Sequence, residues 1–340
     1  MHKKTLIAAA ITGALAAPLA NAQTDVSIYG IADISYSYLD YDQTGTKSYL
    51  TSSAGSGGSR LGFNASHDLG GGLKIKANYE GGVALDNSPL YDTLFFTRQA
   101  WAGLSGSFGS IVAGQDYNLT FLTVYRGEYC GWCGVASPSM LTTDNVRDSN
   151  YVKYSSPDFG GFSFGIGHVF GEDTTATGGV GDKTEAAVFY SGGPVNVGAS
   201  IRETKGATSK VRDSYLAGNV GFGIVKVYAL LGQAKDNADP KTVNLLFTNL
   251  GVGFKLGAGD LNFQFARTKD KAVNDGNTTL VGVSYFHSIG KGATVYAQAA
   301  RITNEANAAR TSWVDGGGGW NSPAAGVDPR GVQVGFKYSF

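Results

Sequence analysis

Beyond residue 22 no apolar run in this chain approaches the ~18 residues that a membrane-crossing helix requires. Helical spanning is excluded, so strands are the only way this polypeptide can cross a bilayer. Charge is scarce as well: Asp, Glu, Lys and Arg make up 16% of the residues, against ~25% in ordinary soluble domains. Neither sign is in excess, with 27 basic and 27 acidic residues, so there is no electrostatic footprint for nucleic acid. Cysteine is limited to Cys130 and Cys133, and only His67, His168 and His287 accompany the two thiols beyond residue 22. A structural zinc site takes four convergent ligands, and no metal or cofactor is expected here.

What the chain has in quantity is glycine, 50 residues, together with 18 Tyr and 18 Phe. It opens on MHKKTLIAAAITGALAAPLANA, with Lys3 and Lys4 ahead of an apolar run and small residues at Ala20 and Ala22. That is the pattern of a secretory signal peptide over 1–22, cleaved before Gln23. The expected mature part, 23–340, is one domain.

The last ten residues alternate most clearly: Val332, Val334, Phe336, Tyr338 and Phe340 interleave with Gly331, Gln333, Gly335, Lys337 and Ser339. The first mature strand repeats the pattern, with Val26, Ile28, Ala32, Ile34, Tyr36 and Tyr38 set against Ser27, Asp33, Ser35 and Ser37. One face suits lipid and the other water. Between these ends lie seven tight Gly/Asp/Ser/Pro turns, at 68–72, 106–110, 156–161, 191–194, 221–223, 257–260 and 288–292. Eight longer polar segments alternate with them, at about 41–58, 81–93, 116–148, 171–182, 203–211, 233–241, 268–277 and 303–330. Fifteen connections make sixteen strands. The predicted fold is all-β, a transmembrane sixteen-stranded antiparallel barrel with short periplasmic turns and long external loops. A barrel of about that size encloses an aqueous lumen. Charge on the lipid face would cost about 2–4 kcal/mol at mid-bilayer, so the wall charges belong inside; the parity of Lys226, Arg267 and Arg301 is left unassigned.

Six segments, in order, carry a family resemblance: VSIYGIADISYSY, SRLGFNASHDLGGGLKIKANYE, RQAWAGLSGSFGSIVAGQ, RDSNYVKYSSPDFGGFSFG, VGVSYFHSIGKGATVYAQAAR and GVQVGFKYSF. Together they resemble the trimeric general-diffusion porins of Gram-negative bacteria, particularly the beta-proteobacterial branch. The resemblance implies a homotrimer in the outer membrane, surrounded by lipid and lipopolysaccharide and assembled by the barrel-assembly machinery. Its function would be passive diffusion of ions and small hydrophilic solutes. A substrate-specific channel, or a barrel-anchored adhesin or receptor, is the alternative. In such porins the third external loop folds into the lumen and narrows it, and the segment 116–148 is the longest loop here.

Candidate residues follow from that geometry. Arg60 and Arg98 match positions where the family tends to carry pore-lining arginines. Parity turns Arg60 inward, whereas Arg98 would need Gln99 and Trp101 to face out. Lys153 also belongs to the wall, and the inserted segment supplies Asp116, Glu128 and Asp144, with Arg126 and Arg147 of opposite sign. A basic wall facing an acidic loop is the expected constriction, made by Arg60, Arg98, Asp116, Glu128, Asp144, Arg147 and Lys153. Lumenal wall charges are mostly basic, with Arg60, Lys74, Lys76, Lys153, Arg202, Lys255 and Lys337 against Asp33, Glu80 and Glu185, which leans towards anion preference. CGWC at 130–133 has the spacing of a dithiol oxidoreductase, but that chemistry needs a helix start to lower the thiol pKa, and the segment offers no such helix. A Cys130–Cys133 disulfide pinning the loop is expected instead, in an oxidising compartment. His168 and His287 have lipid-face parity and no nucleophile beside them, so no enzyme is expected. Phe340 resembles the terminal signal read in barrel assembly. The Trp-bearing stretch Asp315 to Trp320 receives no role. Mass spectrometry of the exported protein should find Gln23 as its first residue; material retaining Met1 would refute cleavage.

Overall fold

The computed structural model describes residues 24–41, 45–52, 55–86, 95–130, 134–142, 145–172, 179–311 and 323–340. The segment expected to be the signal peptide, Cys133, Asp144 and the stretch Asp315 to Trp320 lie outside them. Seventeen strand segments run in order: β1 (Thr24–Asp40), β2 (Thr46–Thr51), β3 (Arg60–Gly70), β4 (Leu73–Gly82), β5 (Gln99–Gly106), β6 (Gly109–Tyr117), β7 (Arg147–Ser155), β8 (Phe162–Val169), β9 (Lys183–Gly192), β10 (Val195–Lys205), β11 (Lys210–Phe222), β12 (Val225–Asp236), β13 (Asn244–Leu256), β14 (Gly259–Asp270), β15 (Thr278–Gly290), β16 (Ala293–Asn304) and β17 (Arg330–Ser339).

From β3 onward each strand pairs antiparallel with its successor, and β17 returns to β1 over Ile31–Ser339 through Asp40–Arg330. The sheet is therefore closed. β2 pairs with the outer part of β1 and β3 with its inner part, so these two are lengths of one wall strand and the barrel has 16 strands. Asp33 explains the interruption. Its buried carboxylate accepts the Tyr296 hydroxyl at 2.6 Å and the Gly57 amide at 2.6 Å, and its own backbone exchanges bonds with Ser59 Oγ at 2.8 and 2.7 Å. Residues 55–59 are drawn inward off the wall to make those contacts.

The expected alternation is present. Asp33, Ser35, Ser37, Asn78, Glu80, Glu185, Arg202 and Gln333 are buried on the inner side, while Val26, Ile28, Tyr36, Ile75, Val332, Val334 and Phe336 are exposed on the outer side. Polar inside and apolar outside is the arrangement of a wall between lipid and water. All seven predicted turns join adjacent strands at one end of the barrel, which also holds both described chain ends. Phe340 exchanges backbone bonds of 3.1 Å with Gly30. Its ring covers that glycine so closely that a Cβ would come within 2.4 Å of it.

Several loops are shorter than their polar sequence suggested. The segment 203–211 reduces to a turn between β10 and β11, and 41–58 contains β2. Beyond the apolar belt the strands continue with charged outward side chains, as where Glu203 meets Lys210 at 2.6 Å and Arg212 at 3.1 Å. Polarity on both faces hides such strand from an alternation pattern. The unassigned residues are placed as well. Arg267 and Arg301 point outward at the loop end, near Glu305 (3.9 Å) and Asp328 (3.5 Å). Lys226 lies on the inner side of β12, over the Tyr228 ring.

A closed ladder leaves no backbone edge to unzip. Protein in mild detergent should give a β-sheet circular dichroism spectrum and change mobility on a gel only after heating; a helical spectrum would contradict this architecture.

Candidate functional site: an arginine cluster facing an inserted loop

Between β6 and β7 the described residues 118–130, 134–142 and 145–146 enter the barrel. They begin with a single-turn-and-a-half helix, α1 (Leu119–Val124), and continue through short 3-10 turns. Such a segment must find partners for its own backbone groups, because the lumenal side of the wall cannot extend its ladder to them. Wall side chains supply the partners. Glu185 on β9 accepts the Leu119 amide at 2.9 Å, the Thr120 amide at 3.2 Å and the Thr120 hydroxyl at 2.9 Å, and also the Tyr151 hydroxyl. Its negative charge stands at the positive end of α1, and Asn118 caps the same end by accepting the Phe121 amide at 2.6 Å. Further along, Asn219 donates to the Arg126 carbonyl at 2.9 Å, Asn249 to that of Gly127 at 2.7 Å, and Thr268 to that of Leu141 at 3.2 Å. Tyr129 donates to Gln298 at 2.9 Å, and burial holds its phenol above the usual range, so it does so as a neutral hydroxyl. The inserted loop thus lies along the wall from β8 to β17.

The other wall carries cations. Arg60 starts β3, Arg98 immediately precedes β5, and Arg147 starts β7. They converge on Glu80 and Tyr117. The Arg98 Nε donates to Glu80 at 2.7 Å, Arg60 lies 3.8 Å from the same oxygen, and Tyr29 donates to the carboxylate at 3.0 Å. The Tyr117 hydroxyl accepts Arg147 at 3.1 Å and Arg98 at 3.5 Å, and the Arg147 guanidinium lies 4.6 Å over its ring. Tyr29 reaches Glu80 because its ring crosses Gly62, where a Cβ would be 2.3 Å away. Three guanidinium groups thus face one carboxylate across the inner face of β3 to β7.

Arg60, Arg98 and Arg147 are therefore brought together as a group, and other candidates are placed elsewhere. Arg98 reaches the lumen from a bend outside the strand, so the expectation that Gln99 and Trp101 face out is overturned: in the ladder they stand opposite Glu80 and Asn78, on the inner side. Lys153 and Asp116 are both buried and paired with each other at 2.5 Å, which cancels their charges. Glu128 is buried within the loop and accepts the Ser137 hydroxyl at 2.9 Å. The acidic loop opposite the basic wall is thus not what Asp116 and Glu128 form. The segment does hold a short helix, α1, but its start lies well before Cys130, which follows the helix and its 3-10 extension. Cys130 is disulfide-bonded. Two groups were missed in the sequence: Tyr117, and Asp148, which accepts Lys183 at 2.5 Å and also Arg202. Phe121 and Tyr125 follow Tyr117 at intervals of four, a spacing that puts side chains on one face of a helix.

A sixteen-stranded wall with a charged, loop-narrowed lumen is a channel, and the Gram-negative porin family matches residues 6–307. The chain belongs to that family. This porin is 31% identical to outer membrane porin protein 32 of Delftia acidovorans, across 99% of its own length and 100% of that relative. It is 32% identical to an outer membrane porin protein of Bordetella pertussis, covering 69% of this chain and 70% of the other. Among solved structures it superposes on an anion-selective porin from Comamonas acidovorans with a TM-score of 0.82, at 26% identity, covering 94% of this chain and 100% of that one. It is an outer-membrane diffusion channel, and family membership speaks for a channel over an enzyme.

In this porin Glu185 joins the inserted loop to the wall. Replacing it with Ala would orphan buried donors, at about 1–3 kcal/mol each. Glu185→Ala should therefore raise single-channel conductance and current noise while leaving the barrel folded; a recording indistinguishable from the parent would show that the contacts do not fix the loop.

Proposed function

We propose that this porin is a weakly selective, anion-preferring channel whose narrowest zone lies between the Arg60, Arg98 and Arg147 side chains and the inserted loop. The observation that carries this reading is the charge count at the cluster. Arg60 and Arg98 pair with the single carboxylate of Glu80 and Arg147 stands beside them on Tyr117, whereas Lys153 is neutralised by Asp116. A net positive zone in a low-dielectric tube raises the local concentration of anions. The Comamonas structure described as anion-selective supports the same sign. The chain is exported by a signal peptide over 1–22, and Cys130 with Cys133 staples the tip of the inserted loop. The working unit is a homotrimer, a form also described for a porin-like Vibrio cholerae barrel of TM-score 0.66 and 17% identity, over 93% of this chain and 99% of that one. Lipopolysaccharide and the barrel-assembly machinery, the latter through Phe340, are its partners in the membrane.

Screening gives the test, since the Debye length is about 30 Å in 0.01 M salt and about 3 Å in 1 M. Under a salt gradient in the dilute range the zero-current potential should report anion preference, which should fade in concentrated salt. Changing Arg60 and Arg98 together to Glu should move it towards cations, and changing both to Gln should move it part of the way. Arg301→Glu, on the outer face with a 66% exposed side chain, should do much less. An unchanged potential in the double Glu variant would sink the proposed constriction.

A further inference from the structure

We infer that the constriction holds a binding subsite for planar aromatic carboxylates, with Tyr125 as the surface on which their ring stacks. This rests on the anion-preferring reading above and names the class of solute that such a zone would retain longest. Tyr117, Phe121 and Tyr125 form a continuous aromatic row that starts inside the arginine cluster. The Arg147 guanidinium lies over the Tyr117 ring at 4.6 Å. Tyr117 stacks on Phe121, with centroids 5.3 Å apart and planes 19° from parallel. Phe121 meets Tyr125 at 6.0 Å. Phe121 is buried, whereas Tyr125 is 49% exposed. An exposed aromatic in a soluble protein carries little meaning. Here the loop that bears it is folded inside the barrel, so its open face looks onto the path of the solute.

The row therefore runs from the guanidinium groups at Tyr117 to an exposed ring surface at Tyr125. The buried Nε of Arg147 has no hydrogen-bond partner among the described residues. A solute that combines a flat ring with a carboxylate can use both parts at once, the carboxylate on the arginines and the ring on Tyr125. Chloride or acetate can use only the first, and a saturated ring of the same size and charge lacks the face that stacking requires.

Benzoate and cyclohexanecarboxylate separate these cases. Each is added to one side of a planar bilayer holding the full-length porin in dilute chloride, and the concentration that halves the chloride current is read. Stacking should let benzoate block at about three- to tenfold lower concentration than cyclohexanecarboxylate. Tyr125→Leu should remove that difference and Tyr125→Phe should keep it. Equal blocking concentrations in the parent, a difference that survives Tyr125→Leu, or no block by either acid would overturn the subsite. Cation preference in plain chloride would instead overturn the anion reading on which it rests. Heat-shifted mobility of each variant verifies folding, and the comparison of the two acids in the parent keeps the proposal falsifiable should the Leu variant fail to assemble.

Discussion

The rest of this structure depends on one requirement: a stretch of backbone placed inside a barrel must find hydrogen-bond partners that the wall's own ladder has already used. The wall meets it with side chains. Glu185, Asn219, Asn249, Thr268 and Gln298 point inward from strands spread over half of the ring, and each binds the inserted loop at a different place. An unpaired buried polar group costs about 1–3 kcal/mol, so the loop has one well-satisfied position and many poor ones. That position leaves the β3 to β7 wall open to the solute path.

Charge at the open wall follows a second logic. Like charges held together repel, and water in the lumen screens them only partly. Glu80 offsets one of the three guanidinium charges and also fixes where Arg98 and Arg60 point. At other places on the inner surface cations are matched more fully, as with Lys153 and Asp116 or with Lys183, Arg202 and their shared Asp148. The three arginines thereby leave an excess of positive charge at one height of the channel. Selectivity in such a tube depends on where net charge stands and not on the totals of the chain.

The wall was legible in the sequence because a strand's two faces repeat every second residue, and the seven glycine-rich turns mark where each pair of strands reverses. Lys74 to Glu80 and Val332 to Phe340 state their faces directly. The broken second strand was hidden, since the cause is a contact from Asp33 to residues 57–59, and nothing local to 52–59 announces it. The helix α1 was hidden by its length, too short to show a period of its own. Pairing within the lumen was least legible. Alternation says that Lys153 and Glu80 face inward, but which partner each meets depends on positions 37 and 18 residues away along the chain being brought to one height by closure. The Tyr117, Phe121 and Tyr125 spacing was readable and lay within a segment otherwise read as irregular.

The side-chain suspension of the inserted loop also bears on how this channel can change. Asn219, Asn249 and Gln298 stand on the wall that carries the loop, opposite the arginines. A substitution at any of them re-hangs the loop and so alters the bore without touching a group that meets the solute. A bacterium facing a toxic hydrophilic compound thus has two separable routes to exclude it: one changes what the pore prefers, the other how wide it stands. Because the second leaves the arginine cluster intact, entry of a bulky antibiotic can be curtailed while small hydrophilic solutes still pass.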